Sequence, residues 1–239
     1  MTTITRTMPA TITEPAPGCA MLPRLLQLAS PMLPVGAYAY SEGLEYAVQE
    51  GWVHDEHSAR DWILGLLQHC MSRLDVPLFA RAYAGWLAGD ETRVRAASAW
   101  LLACREAAEL RTADRNLGQA LARVLVQLGD DGARVWMRDA DASFAAMFAR
   151  AAVSWRIPVQ AAAGALLWSW CENATAAAMK LVPLGQSSGQ RLLFEAGALI
   201  PVLCAAGVSL DDDAVGGGAP GLAIASACHE QQRTRLFRS

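Results

Sequence analysis

The sequence predicts an all-α fold, a single-domain helical bundle of roughly eight to ten helices. The chain has 239 residues, of which 53% are hydrophobic and 18% charged, so it is long enough for a sizeable core and too apolar for a disordered protein. Alanine dominates the apolar residues, whereas the residues that sheets prefer are sparse. Apolar positions recur at helical spacing nearly to the end, without the strand–helix alternation of an α/β protein.

The first half of the chain reads as helices separated by Pro and Gly signals. Residues 1–20 are rich in Thr and Pro and are expected to form a flexible leader, followed by a helical domain over residues 21–239. Leu22–Ala29 forms a short helix that ends at Ser30-Pro31, and Pro31–Tyr40 is a loop. Ser41 is a plausible cap for a helix that continues to Gln49 or Glu50. Asp55 opens the next helix, which is expected to reach Leu74.

The second half is predicted to be almost continuously helical. The expected helices are Pro77–Leu87, Glu91–Leu128, Asp139–Trp155, Pro158–Leu181 and Ser187–Ala206. A Ser187-x-x-Gln190 capping box opens the last of them. Residues 211–239 then form a partner-binding segment, with a glycine-rich hinge at Asp211–Gly221, a short helix and a basic tail at Arg233–Ser239. The glycine run predicts that hinge and tail are mobile in the free chain and become ordered on a partner.

Composition excludes several classes of function. Lys180 is the only lysine and lacks the glycine frame of a P-loop, so the chain is neither a P-loop nucleotidase nor a protein kinase. The net charge of −3 argues against a nucleic-acid partner. Ile157–Met179 contains Glu172, and Ala196–Leu210 is shorter than the roughly 20 residues that span a bilayer, so no membrane segment is expected. Six cysteines are scattered without a Cys-x-x-Cys pair, which indicates reduced thiols and a cytoplasmic protein.

Two kinds of chemical site remain as alternatives. Gly185–Gly189 matches the Gly-x-Ser-x-Gly nucleophile elbow, and Ser187, an aspartate of Asp211–Asp213 and His229 follow the chain order of a serine hydrolase. The elbow requires a strand before the serine, whereas a helix is predicted there. His54-x-x-His57, His69-Cys70 and Cys228-His229 each place two possible metal ligands close together, but surface or core roles are the simpler interpretation. We expect no resident metal and no cofactor.

Recognition elements are more evident. Tyr38 and Tyr40 lie in a Pro/Gly loop, and the tail combines arginines with Leu236 and Phe237. Arginine and aromatic residues on a flexible segment are typical of a protein-binding element. From the residues alone, the chain is a helical interaction protein.

The same places carry a family resemblance. The matching segments are Leu25–Ser30, Leu33–Gly36, Ser41–Val48, Gly51–Val53, Asp75–Arg81, Arg105-Glu106, Glu109–Arg111, Arg115-Asn116, Lys180–Gln186, Ala225–Ala227, His229-Glu230 and Arg235–Ser239. In this combination, over residues 22–239, the sequence closely resembles the urease accessory protein UreF family. The resemblance implies a cytoplasmic, all-helical homodimer that catalyses nothing itself. It also implies a complex with a second accessory protein, UreD (also called UreH), and with the GTPase UreG, which helps place nickel in apo-urease during GTP-dependent maturation.

The resemblance also suggests which residues contact partners. We expect Glu45, Lys180 and Arg235 to face the GTPase and the tail to bind UreD. We expect the dimer to form through the small-residue face around Ala161, Ala165 and Ala176. The full set of expected partner-binding residues is Tyr38, Tyr40, Ser41, Glu45, Lys180, Gln186, His229, Glu230, Arg235, Leu236, Phe237 and Arg238.

Overall fold

The computed structural model describes residues 17–239, with side chains from residue 21 onward. Within this part of the chain the all-α prediction is confirmed, with ten α-helices and no strand. The helices are α1 (Pro17–Ala29), α2 (Leu44–Gln49), α3 (Glu56–Leu66), α4 (Val76–Ala88), α5 (Glu91–Ala103), α6 (Ala108–Gln127), α7 (Phe144–Ser154), α8 (Val159–Leu181), α9 (Gln186–Val208) and α10 (Pro220–His229). Three short 3₁₀ turns (Ala37–Ala39, Asp131–Arg138 and Asp212–Ala214) and a π-helical stretch (Leu67–Asp75) complete the fold.

The N-terminal boundary differs from the prediction. Helix α1 begins at Pro17, inside the segment that was predicted as a leader. A proline suits the first helical position because its fixed φ matches the helix and its missing N–H has no partner there anyway. The remainder of that prediction, residues 1–16, lies outside the described residues.

Helix α8 is the central element of the bundle. It packs against α1, α2, α3, α4, α7 and α9. Its buried face is built largely from small side chains such as Ala162, Ala163 and Ala178, which let neighbouring helices approach closely. The main core surrounds its N-terminal half, and a second, smaller core cluster lies near its C-terminal end. The sequence predicted this helix almost to the residue because its pattern is uninterrupted.

The single long helix predicted for Glu91–Leu128 is wrong, since the chain breaks into α5 and α6 at residues 104–107. The break places the Arg105 side chain between two aspartates. Its guanidinium donates to Asp114, nine residues later, at 2.9 Å, and to Asp75 at 3.2 Å. In one continuous helix, positions nine apart lie roughly 180° around the axis, so Arg105 would point away from Asp114. Breaking the helix therefore permits a buried ion pair that joins the start of α4 to α6.

The π-helical stretch connects α3 to α4 without a break. Pro77 lacks an amide hydrogen and cannot bond the carbonyl of Arg73, so the helix widens before it. The amide of Gly216 donates to that carbonyl instead, at 3.1 Å. The predicted hinge is therefore packed against the helix in this structure, and its mobility in the free chain stays a prediction.

Helix α9 is the most apolar long helix on the surface. Its length and hydropathy would suffice for a membrane span, and a third of its most apolar window is buried in the fold. Outward-facing Phe194, Ala198, Val202 and Ala205 recur at helical spacing along it. The predicted Ser187/Gln190 capping box is absent, because α9 begins at Gln186 after Gly185 and has no side-chain cap.

Candidate functional site

The C-terminal tail, Arg233–Ser239, folds back along the start of α2. The carbonyl of Ser239 accepts hydrogen bonds from the amide and the hydroxyl of Ser41, the latter at 2.6 Å, and from the amide of Glu42 at 3.0 Å. The amide of Arg238 donates to the carbonyl of Ala39 at 2.7 Å. The backbone of the tail is therefore hydrogen-bonded to the loop that precedes α2, and its mobility in the free chain stays a prediction.

A tight turn before α2 presents the backbone amides that bind the tail. Glu42 and Gly43 both have positive φ, at 51° and 77°. A side chain at Gly43 would collide with Ser226 of α10, so the turn and α10 are in direct contact. The hydroxyl of Ser41 accepts from the amide of Glu45 at 3.3 Å, close to the capping role that the sequence predicted. The turn thus leaves the Ser41 and Glu42 amides free for the tail.

Glu45 is the acceptor that holds the middle of the tail. Its carboxylate accepts from the amides of Leu236 and Phe237, at 2.6 and 2.9 Å. It also contacts Nε2 of His229 at 3.1 Å. Only 8% of Glu45 is exposed, so these bonds form with little competition from water.

His229, the last residue of α10, lies between two carboxylates. Its side chain is fully buried, and Nδ1 lies 2.9 Å from Glu109 of α6, opposite the contact with Glu45. Glu109 also accepts from Arg235 at 3.1 Å. Burial raises the pKa of the Glu109 carboxyl, an effect that His229 and Arg235 oppose. We call Glu45, Glu109, His229 and Arg235 the tail clamp.

Phe237 anchors the tail in the second core cluster. It is 6% exposed and packs there with residues that include Leu44, Val182 and Ala225. The Lys180 ammonium lies 5.5 Å from the centre of its ring, within reach of a cation–π interaction. Beside it, a groove of about 410 Å³ is lined by Tyr38, Lys180, Leu236, Arg238 and their neighbours. We call this the tail groove.

The structure brings most of the expected partner-binding residues together but divides them by exposure. Five are buried, namely Tyr40, Ser41, Glu45, His229 and Phe237. Six lie exposed in or beside the tail region: Tyr38, Lys180, Glu230, Arg235, Leu236 and Arg238. Gln186 is exposed at the start of α9. The buried residues hold the tail in place, whereas the exposed ones are accessible to another molecule.

Two residues of this region, Glu109 and Glu42, are not among the partner-binding residues expected from the sequence. Glu109 belongs to a quoted motif, but its contact with His229 spans 120 residues and has no local signal. Glu42 accepts from the indole N–H of Trp170 at 2.8 Å, and burial raises the pKa of its carboxyl. It lines a partly open cavity of about 190 Å³ near the buried pair of Arg105 and Asp75. Positive φ at a non-glycine residue is the kind of strain that only the folded structure reveals.

The serine hydrolase arrangement is not assembled. Both ring nitrogens of His229 contact glutamates rather than a serine or an aspartate. Asp212 pairs with Arg81, and Ser187 is exposed at the start of α9. The elbow also needs a strand before the serine, whereas α8 precedes it. This geometry contradicts the alternative built on Ser187 and His229.

The tail clamp does not converge on a metal position either. Glu45 and Glu109 contact opposite nitrogens of the His229 ring, so the three side chains point at no common centre. Within residues 21–239, no group of three or more His, Cys, Asp or Glu side chains is arranged to hold a metal ion.

Comparison with known proteins gives a consistent family. The model of the UreF family matches residues 53–197, more than half of the chain. The urease accessory protein UreF of Alkalilimnicola ehrlichii is 49% identical over 227 residues, which cover 95% of this chain and 99% of that protein. The proteins of the same name from Azoarcus sp. strain BH72 and Dechloromonas aromatica are 48% and 45% identical, with 95% and 92% of this chain covered and 99% of each of theirs. The chain therefore belongs to the UreF family of urease accessory proteins.

Proposed function

We propose that this chain is a non-catalytic scaffold in urease maturation, acting in a cytoplasmic complex with UreD (UreH) and the GTPase UreG that inserts nickel into apo-urease. Family membership supports the role. The GTP chemistry belongs to UreG, which fits a sequence whose one lysine, Lys180, lies outside any P-loop frame. Nickel is the cargo of the complex and not a resident cofactor of this chain.

The tail groove is the observation that carries the proposal. It places two cations, Lys180 and Arg238, beside the apolar side chain of Leu236, which is 66% exposed. In the described part of the chain neither cation pairs with a carboxylate. Exposed apolar groups flanked by unpaired cations fit a partner segment that carries apolar and acidic side chains.

Within this surface we assign the two partners to different residues. Lys180 leaves the C-terminal end of α8 and faces the GTPase UreG. Leu236 and Arg238 lie on the docked tail and face UreD. Glu45 and Arg235 were expected to contact the GTPase directly, but Glu45 is 8% exposed and both belong to the tail clamp. We propose that these two residues act by positioning the tail.

Homodimer formation is assigned to α9. Phe194 and Val202 are 83% and 64% exposed on the same outward stripe of this helix. Burying such a stripe against a second copy is favourable at roughly 25 cal/mol per Å² of apolar surface. The small-residue face proposed from the sequence offers less apolar surface, because Ala165 is buried inside the fold and Ala161 is half-buried, so that only Ala176 of the three is exposed.

The test is retention of UreD and UreG by tagged chain variants expressed together with both partners. Lys180→Ala should reduce retention of UreG, and Leu236→Ala or Arg238→Ala should reduce retention of UreD, each with a parallel loss of urease activation. Arg138→Ala is the matched control, since Arg138 is exposed in the 3₁₀ turn Asp131–Arg138. Equal retention of both partners by all four variants would overturn the assignment.

A further inference from the structure

We propose that the partly open cavity lined by Glu42 and Glu172 binds a small organic cation, an ammonium or guanidinium group on a short apolar body. The cavity has a volume of about 190 Å³. A protein cavity of roughly 150 Å³ accommodates benzene, so this one has room for a slightly larger molecule. Tyr38 and Ala176 line it and are exposed, so a ligand can enter from the surface. The inference concerns this chain alone and does not depend on the proposed function.

The walls of the cavity suit the apolar body of such a ligand. Buried leucines of α1, α3, α6 and α8 contribute to them, namely Leu28, Leu66, Leu110, Leu117 and Leu166. Four aromatic side chains also line the cavity: Tyr38, Tyr40, Phe144 and Trp170. The face of an aromatic ring attracts an organic cation, and the attraction is stronger when the cation has left water. The same walls therefore favour a positively charged end group.

The ionisable groups of the cavity are mostly acids. Four carboxyl side chains and one cation line it: Glu42, Asp75, Asp114, Glu172 and Arg105. The guanidinium of Arg105 donates to Asp114 at 2.9 Å and to Asp75 at 3.2 Å. Two aspartates thus share the one cation, and neither glutamate has a direct ion pair with it. The cavity has more carboxyl groups than its own positive charge can balance.

The two glutamates are desolvated without a cationic partner. Glu42 accepts from the neutral indole N–H of Trp170 at 2.8 Å, and across residues 21–239 no side chain pairs with Glu172. Burial is the main cause that raises the pKa of both carboxyls. By contrast, hydrogen bonds from Arg191 and a serine lower the pKa of the surface carboxyl of Glu56. A cation bound in the cavity would supply the attraction that Glu42 and Glu172 lack.

Charge selectivity does not depend on the protonation state of these carboxyls before binding. A cation close to a carboxyl favours its ionised form, so the ligand itself promotes the pairing. A neutral ligand of the same shape gains the apolar contacts but neither the charge-assisted hydrogen bond nor the attraction to the aromatic rings. The cavity should therefore prefer a cation to its neutral counterpart.

Glu42 is also fixed in position before any ligand binds. Its backbone has a φ of 51°, which few residues other than glycine adopt. Its amide donates to the carbonyl of Ser239 at 3.0 Å, and its carboxylate accepts from Trp170. Held at both its backbone and its side chain, the carboxylate needs little ordering when a ligand binds, which favours affinity.

The experiment titrates the ¹⁵N-labelled full chain with benzylamine, a cation at neutral pH, and with benzyl alcohol, its neutral counterpart of similar size. Benzylamine should shift the indole N–H resonance of Trp170 saturably, with the resonance assigned by its loss in Trp170→Phe. We expect benzylamine to bind about tenfold more tightly than benzyl alcohol. Equal affinities for the two probes, or no saturable shift of this resonance with benzylamine, would overturn the proposal.

Two variants and a control assign the selectivity to the cavity carboxyls. Glu172→Gln and Glu42→Gln keep the shape of the side chain and a hydrogen-bond acceptor but cannot ionise. Each should weaken benzylamine binding by about tenfold and leave benzyl alcohol binding unchanged, and either suffices if the other does not fold. Glu50→Gln, at an exposed glutamate directly after α2, should bind both probes as the wild type does. Unchanged benzylamine affinity in the folded cavity variants would contradict the proposal.

Discussion

The amide of Gly216 donates a 3.1 Å hydrogen bond to the carbonyl of Arg73, the carbonyl that Pro77 leaves without a helical partner. A proline within a helix normally exposes such a carbonyl to water or kinks the helix. Here a glycine-rich segment far along the chain satisfies it. The contact joins the middle of the bundle to the segment that leads into α10, and so helps to place His229 at the tail clamp.

Gly217 is required for this close contact. A Cβ at this position would overlap the carbonyl of His69, and the nearby atom is backbone, which cannot move aside cheaply. We predict that Gly217→Ala lowers the free energy of unfolding by about 1–3 kcal/mol. Gly218→Ala is the matched control, because its Cβ meets nothing within 4 Å and the change should stay within about 0.5 kcal/mol. Urea denaturation measures both, and equal effects would contradict the packing argument.

Arg105 holds two buried aspartates. Burial opposes its charge, but Asp75 and Asp114 outweigh this and hold its pKa well above the ordinary value. Arg105→Met keeps the apolar stem and leaves both carboxylates without a cation, so we predict a loss of about 3–5 kcal/mol in unfolding free energy. Arg60→Met, which breaks the exposed pair with Glu195, should cost less than about 1 kcal/mol. Similar losses in the two variants would show that the buried pair has no special role.

How far the sequence predicts this fold depends on whether a signal is local. Pro158–Leu181 was predicted within one residue of α8, and Asp55 does cap α3 through a box with Ser58. The interruption between α5 and α6 has no local signal, because it lets Arg105 bridge Asp114 and Asp75, and Asp75 lies 30 residues away. Periodicity describes one helix at a time and carries no information about such a partner.

In the candidate site, too, local features could be predicted from the sequence and long-range contacts could not. Motif resemblance indicates most of its residues, whereas their arrangement depends on contacts between distant parts of the chain. The tail follows a glycine run and contains arginine, leucine and phenylalanine, a composition typical of a flexible protein-binding segment. Glu45 accepts a hydrogen bond from the Phe237 amide of the tail, and the two residues are 192 positions apart in the sequence. Only the tertiary structure shows that Gly217 is a packing requirement and that His229 is buried between carboxylates.

Glu172 provides a test of pH dependence. It lines the same partly open cavity as Glu42, and in the described part of the chain its carboxylate has no hydrogen-bond partner or counterion. Burial raises the pKa of this carboxyl above its unfolded value, so the native state binds the proton more tightly. The ionised form therefore lowers stability at neutral pH, and the penalty disappears as pH falls through the folded pKa.

Glu172→Gln should accordingly raise the melting temperature at pH 7, with an advantage over the wild type that shrinks on acidification. Glu106→Gln is the control, at an exposed glutamate in the loop between α5 and α6. It should give no pH-dependent difference. Thermal unfolding followed by circular dichroism across an acidic-to-neutral series measures both variants, and a constant offset for Glu172→Gln would refute the burial argument.

The last prediction concerns the outward stripe of α9. Phe194 is 83% exposed, and Ala198, Val202 and Ala205 continue its line at helical spacing. If a second copy covers this stripe, a charge placed on it is buried without a partner on dimer formation, which is costly. Phe194→Glu should therefore yield a folded monomer by light scattering, under conditions in which we expect the wild type to form a dimer. Val135→Glu places the same charge on a residue of comparable exposure in the 3₁₀ turn beside α6 and should remain dimeric. A Phe194→Glu variant that stays dimeric would move the interface away from α9, whereas loss of dimer in both variants would indicate that added charge alone disrupts association.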